Sequence, residues 1–193
     1  MGHLELAKKR EKKEERLYEP IKNALQKELE AYLQSKKDKQ SEALKALNVF
    51  NVYLEITANG KELSDKLKEV LGDDVLSILR VEKFSPDIMG FVQTTPYQTD
   101  LVTVEVKHDK ITIQSISKAK LYKEVFRARY GMLISPKGIG EEMKRFISNR
   151  WEIRGDIVIT QFDETNKKFC FDKRLYSTIP EPFVTEEVKY FKP

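Results

Sequence analysis

The sequence predicts an α/β protein in which a central mixed sheet is flanked by helices. Three observations carry that reading. Short β-rich runs alternate with segments of helical periodicity along most of the chain. Near the middle, two apolar runs stand close enough to pair as a hairpin. The second of them carries Val102, Val104 and Val106 on one face and Glu105 and Lys107 on the other, because strand side chains alternate.

Residues 4–34 form one long, charged helix. At about 100° per residue, Leu17, Ile21, Ala24, Leu25, Leu29 and Tyr32 fall on one stripe. Pro20 either kinks this helix or marks a start within it. Residues 35–40 are a polar, Lys-rich connection, and a short helix is expected over 42–47. Val49 to Thr57 reads as a strand, and Asn59-Gly60 as a turn. Residues 61–71 place Leu63, Leu67, Val70 and Leu71 at helical spacing, with Gly72 as a stop. Residues 75–81 fit helix or strand equally well. The hairpin follows: a strand over 87–92, a polar loop over 93–100 containing Pro96, and a strand over 101–107.

His108-Asp109-Lys110 turns the chain, and 111–113 is expected to add a short strand. Residues 117–129 read as a helix with Ala119, Tyr122, Val125 and Phe126 on one face. Tyr130 to Ser135 is a short buried strand, ended by Pro136-Lys137-Gly138. A helix over 140–149 and a strand over 157–162 complete the pattern. Residues 163–193 have weak periodicity and read as a strand pair or an arm. The expected organisation is therefore an α/β domain over 1–162 and a C-terminal extension over 163–193. There is no internal repeat and no low-complexity linker.

Composition narrows the classes. A chain of 193 residues suits one domain with a terminal extension, and a hydrophobic fraction of 40% supports a real core. Charged residues make up 34%, chiefly Lys and Glu, a composition common in proteins from very hot environments. The net charge of +4 permits nucleic-acid binding without demanding it. A single cysteine, Cys170, excludes an internal disulfide framework and points to a reducing compartment. No apolar run approaches the roughly 18 residues of a membrane span, and no secretory signal stands at the start. A soluble, cytoplasmic protein with no membrane partner is expected. No Gly-rich phosphate loop, nucleophile elbow or dinucleotide fingerprint is present, so no small-molecule cofactor is expected. His3, His108 and Cys170 lack zinc-ligand spacing.

The chemistry concentrates in the hairpin. Glu105 and Lys107 project together, and the hairpin brings Asp87 beside Glu105. Two close carboxylates repel, and a divalent cation relieves the repulsion. Mg²⁺ (or Mn²⁺) suits the pair, since it takes oxygen ligands and bridges carboxylates to phosphate. The backbone carbonyl of Val106 is a candidate further ligand. Lys107 would then orient or deprotonate an attacking water, or offset charge on a phosphate. The same residues also fit a blander arrangement, in which Asp87 is a turn residue and Glu105 and Lys107 are a surface pair on an edge strand.

Pro86-Asp87 and Glu105-Val106-Lys107 resemble the two motifs of the PD-(D/E)XK nuclease superfamily, which has the restriction-endonuclease-like fold. The resemblance covers roughly residues 10–161. It implies a metal-dependent nuclease that hydrolyses DNA phosphodiester bonds, with the metal on Asp87, Glu105 and Val106 and with Lys107 positioning water or phosphate. Family members often begin with a helix bearing a glutamate linked to the metal site. Glu14 takes that place, since it lies on the apolar stripe and Glu15 lies about 100° away. The helix after the lysine often carries Gln and Tyr four apart. Lys118 and Tyr122 stand there, so the Gln is replaced, with Gln114 one turn earlier as a substitute. Lys118, Lys120 and Tyr122 are the candidate nucleic-acid contacts. The resemblance further implies DNA as partner and a homodimer. The alternative is a non-catalytic nucleic-acid- or protein-binding module on the same fold.

Overall fold

The computed structural model describes residues 3–38, 50–81, 84–95, 97–150, 156–176 and 180–183. Six strands form one sheet: β1 (Asn51–Ile56), β2 (Ile88–Thr95), β3 (Gln98–Val106), β4 (Tyr130–Ser135), β5 (Val158–Asp163) and β6 (Lys168–Cys170). They lie side by side in chain order. The pairs β1–β2, β2–β3 and β5–β6 are antiparallel, and β3–β4 and β4–β5 are parallel. The mixture follows from the connections. Short turns join β2 to β3 and β5 to β6, and a longer connection containing two α-helices joins β1 to β2, whereas α4 (Ile113–Val125) and α5 (Glu141–Ser148) carry the chain back between parallel neighbours.

Helix α1 (His3–Asp38) packs across β1, β2 and β3. It runs unbroken through Pro20 and into the residues expected to be a polar connection. An internal proline costs about 3 kcal/mol. Leu17, Ile21, Leu25 and Leu29 are each essentially buried, and each contributes about 1.5–3 kcal/mol, so the stripe outweighs the break. Val102, Val104 and Val106 join this core. On the other side, α2 (Asp65–Val70), α3 (Asp73–Val81) and α4 enclose a second cluster built from Leu67, Leu71, Val75, Met89, Phe91, Tyr122 and Phe126.

Several elements differ from the sequence expectation. Only 65–70 of the span 61–71 is helical, because the Ser64 side chain caps the helix by accepting from the Leu67 N–H. Residues 75–81 are helical, as part of α3. The expected loop over 93–100 is mostly strand. β2 continues to Thr95 and β3 starts at Gln98, with a register shift between Gln93 and Thr95. Ladder hydrogen bonds hold these residues whatever their side chains. Their polarity reflects exposure of the hairpin tip, where Tyr97 stands in solvent.

Residues 111–113 form no strand. Ile111 makes an isolated bridge to Ile139, and α4 begins at Ile113 behind a reciprocal Thr112–Ser115 cap. That helix stops at Val125, short of 129. The chain turns out through Arg127 in a left-handed conformation, and the Ala128 N–H closes onto the Lys123 carbonyl. The helix expected over 42–47 lies outside the described residues.

Beyond residue 162, Asp163 ends β5 and β6 pairs with it. Phe169, Phe171, Leu175, Tyr176 and Phe183 are buried in the main core. The Ile159 N–H donates to the Tyr176 hydroxyl oxygen at 2.6 Å. Among the described residues, no helix is long and apolar enough to cross a membrane.

Candidate functional site

Asp87 stands one residue before β2, with its backbone tied on both sides. Its N–H donates to the Val104 carbonyl at 3.0 Å, and its carbonyl accepts from the N–H groups of Thr57 and Ala58. The carboxyl is thereby fixed between the end of β1 and the end of β3. Oδ2 accepts from the Val106 N–H at 2.7 Å, and Oδ1 accepts from the Tyr18 hydroxyl at 3.2 Å. Burial, and next the negative charge of Glu105, push the Asp87 pKa up to about 7, against the Val106 N–H and the two nearby lysines.

Glu105 is 1% exposed on the third of six strands. That position excludes the surface pair on an edge strand. Its Oε1 lies 3.0 Å from Lys107 Nζ and 3.0 Å from Lys118 Nζ. Both lysines reach the same oxygen, and Oε2 has no hydrogen-bond partner among the described residues. The two ammonium groups offset the charge at Oε1, whereas leaving Oε2 buried in that state is costly.

Lys107 follows the alternation of β3 to the end of the sheet. There its ammonium also meets Glu14 on α1, 3.1 Å from Oε2. Burial alone would lower the Lys107 pKa. The carboxylates of Glu105 and Glu14 override this and raise it, so the group is an ammonium at neutral pH. Glu14 reaches the lysine and, through Oε1, the His108 N–H at 3.4 Å. Glu15 is exposed and accepts from the Asn59 amide.

Of the residues assigned to nucleic acid, two are at the site. Lys118 spans from Glu105 to the Tyr122 ring, with Nζ 5.2 Å from the ring centroid. Tyr122 is buried against Phe84. Lys120 is elsewhere: with Lys123 it holds Asp156, at 2.9 Å and 3.1 Å. Two residues along a helix is about 200° of turn, so Lys118 and Lys120 face different ways. Gln114 is exposed in the first turn of α4. Val106 enters the site through its N–H, which Asp87 accepts. Sequence reasoning missed Tyr18. Its signal was present, since 18, 21, 25, 29 and 32 share helical spacing with Glu14 one turn before.

Among the described residues, no three His, Cys, Asp or Glu side chains gather into a metal cluster. The donor set on offer is the pair Asp87 and Glu105, which suits a cation that keeps several waters and takes one or two carboxylates. Beside Asp87 opens a cavity of about 710 Å³ bounded in part by Lys118 and Tyr122. Compared with known proteins, the chain matches no family model, no curated protein and no solved structure.

Proposed function

We propose that the chain is a metal-dependent nuclease of PD-(D/E)XK type on a restriction-endonuclease-like fold, hydrolysing DNA phosphodiester bonds. The observation that carries this is Glu105. A wholly buried carboxylate with Oε2 unpartnered among the described residues, set against a second carboxylate whose pKa it raises, is an electrostatic arrangement that a divalent cation relieves. The order of elements supports the fold reading: a helix bearing Glu14, a hairpin joining Pro86-Asp87 to Glu105-Val106-Lys107, then a helix and a parallel strand.

Asp87 and Glu105 would hold Mg²⁺ or Mn²⁺, which supplies a more acidic water and a polarised phosphorus centre. The chain's own residues do the rest. Tyr18 and the Val106 N–H fix the Asp87 carboxyl. Glu14 and Glu105 hold Lys107 as an ammonium, so it orients water and offsets phosphate charge instead of taking a proton. Water oxygen bonds to phosphorus as its proton passes to a second water, one bridging P–O bond breaks, and the leaving oxygen takes a proton from solvent water. Cleavage of mixed DNA substrates in Mg²⁺ by wild type, Asp87→Ala, Glu105→Ala and Lys107→Ala tests this. A wild type that cuts nothing, or variants that cut as well, would sink it.

One contact favours a second reading. Lys118 already offsets the charge of Glu105 at 3.0 Å, as it would in a non-catalytic nucleic-acid- or protein-binding module on the same fold. Calorimetry with Mn²⁺ separates the two: no metal site, together with salt-sensitive DNA binding, selects the module. Cutting both strands of a duplex takes two sites, so a duplex substrate brings a homodimer with it. Sedimentation showing only monomer counts against that assembly.

A further inference from the structure

The cavity beside Asp87 joins two unlike surfaces. One side is the ionic site, with the Asp87 carboxyl and the Lys118 ammonium. The lining also includes an apolar set: Leu63 precedes α2, and Leu76 and Leu79 lie one turn apart on α3, with the polar Asn59, Lys61, Glu62 and Lys68 on the same cavity. Buried Tyr122 on α4 lines it as well. The volume of about 710 Å³ falls in the range of about 300–1,000 Å³ found for sites that enclose a small ligand. A groove that tracks duplex DNA has no need of apolar side chains in a cavity beside the phosphate, because its contacts are with phosphates.

A ligand that satisfies both surfaces has an anionic group beside Lys118 and a flat apolar group a few ångströms away. One nucleotide of a strand, with its phosphate and base, has that composition. We infer that the substrate is DNA unpaired at the scissile phosphate, with the base of that nucleotide lodged against Leu63, Leu76 and Leu79. The inference rests on the nuclease reading and adds the structure of the substrate to it. In a duplex the base would first have to be unstacked and unpaired, a cost that a single strand does not bear.

The test measures kcat/KM in Mg²⁺ on a single strand and on a blunt duplex of the same sequence. The single strand is expected to be cut at least about tenfold faster, the scale of one base's contacts. Leu79→Trp, which fills the cavity from α3, should slow single-strand cleavage by a similar factor. Leu63→Trp, outside α3, repeats the measurement, and both are judged on protein with the wild-type melting temperature. The penalty should shrink on a strand made abasic at the mapped cut. Wild type carrying 2-aminopurine at that nucleotide gives a readout that needs no variant: its fluorescence changes as the base leaves water. A duplex cut as fast as the single strand overturns the inference and leaves the nuclease reading standing, as do tryptophan variants that cut like wild type. Absence of cleavage on every substrate removes the nuclease reading and the inference with it.

Discussion

The Lys107 ammonium lies 3.1 Å from the Glu14 carboxylate, and the two are 93 residues apart in sequence. The contact ties the end of β3 to α1. It fixes a side chain that would otherwise sample many rotamers, and Glu105 on the other side of the ammonium completes the clamp. Glu14 acts on the site through the lysine.

Glu14→Gln is therefore expected to lower kcat by about 10–100-fold, the usual cost of losing a group that orients another. Mn²⁺ affinity should hardly change, because Glu14 does not touch Asp87 or Glu105 by any contact described. Steady-state cleavage kinetics paired with calorimetry checks both parts. Weakened metal binding of the same factor would place Glu14 among the ligands instead.

Tyr18→Phe removes the hydroxyl that donates to Asp87 Oδ1 and leaves the ring in the core. Stability should fall by about 1 kcal/mol, the net worth of one such hydrogen bond. Urea unfolding measures it through the midpoint with an unchanged slope. Loss of the ring as well, in Tyr18→Ala, should cost about 3–5 kcal/mol.

Metal binding should register as stability. At a Mn²⁺ concentration 100 times the dissociation constant, linkage predicts a gain of about 2.7 kcal/mol, seen as a higher melting temperature. Glu105→Gln should abolish the shift, since the buried carboxylate with Oε2 unpartnered among the described residues is the group the cation would complete. Equal shifts in wild type and variant would remove Glu105 from the ligand set.

Away from the site, Asp172 is 2.6 Å from Lys144. Burial raises its pKa, but Lys144 and Arg174 override this and lower it. A depressed carboxylate contributes stability that is present above its unfolded value and lost as pH falls through the folded one. Asp172→Asn should thus cost about 0.5–1 kcal/mol at pH 7. The difference from wild type should fade below the ordinary value of 3.8. Unfolding curves at pH 7 and below that value test the sign.

Lys118→Ala and Lys120→Ala should part company. The first strips a cation from Glu105 and is expected to reduce DNA cleavage at least about tenfold, as loss of a phosphate-charge contact does. The second releases Asp156 and should change only stability, by about 1 kcal/mol or less. A matching loss of activity in both would return Lys120 to the site.

The sequence by itself determined what is local. The periods of strand and helix placed Val102, Val104 and Val106 opposite Glu105 and Lys107, put Glu14 on the buried side of its helix, and located β4 and α5 nearly residue for residue. Polarity misled where it reported exposure and not backbone pairing, as in 93–100. Caps set the starts of α2 and α4, through one side-chain hydrogen bond at Ser64 and a reciprocal pair between Thr112 and Ser115, which periodicity does not register. The tertiary structure alone decided that β3 is central, and hence that Glu105 is buried. It alone joined Tyr18 to Asp87, Glu14 to Lys107 and Lys118 to Glu105, and turned Lys120 away to Asp156. Those outcomes depend on which elements pack against which, over separations of up to 93 residues. A period read along the chain fixes the direction of a side chain on its own element, and not what the fold will bring to meet it.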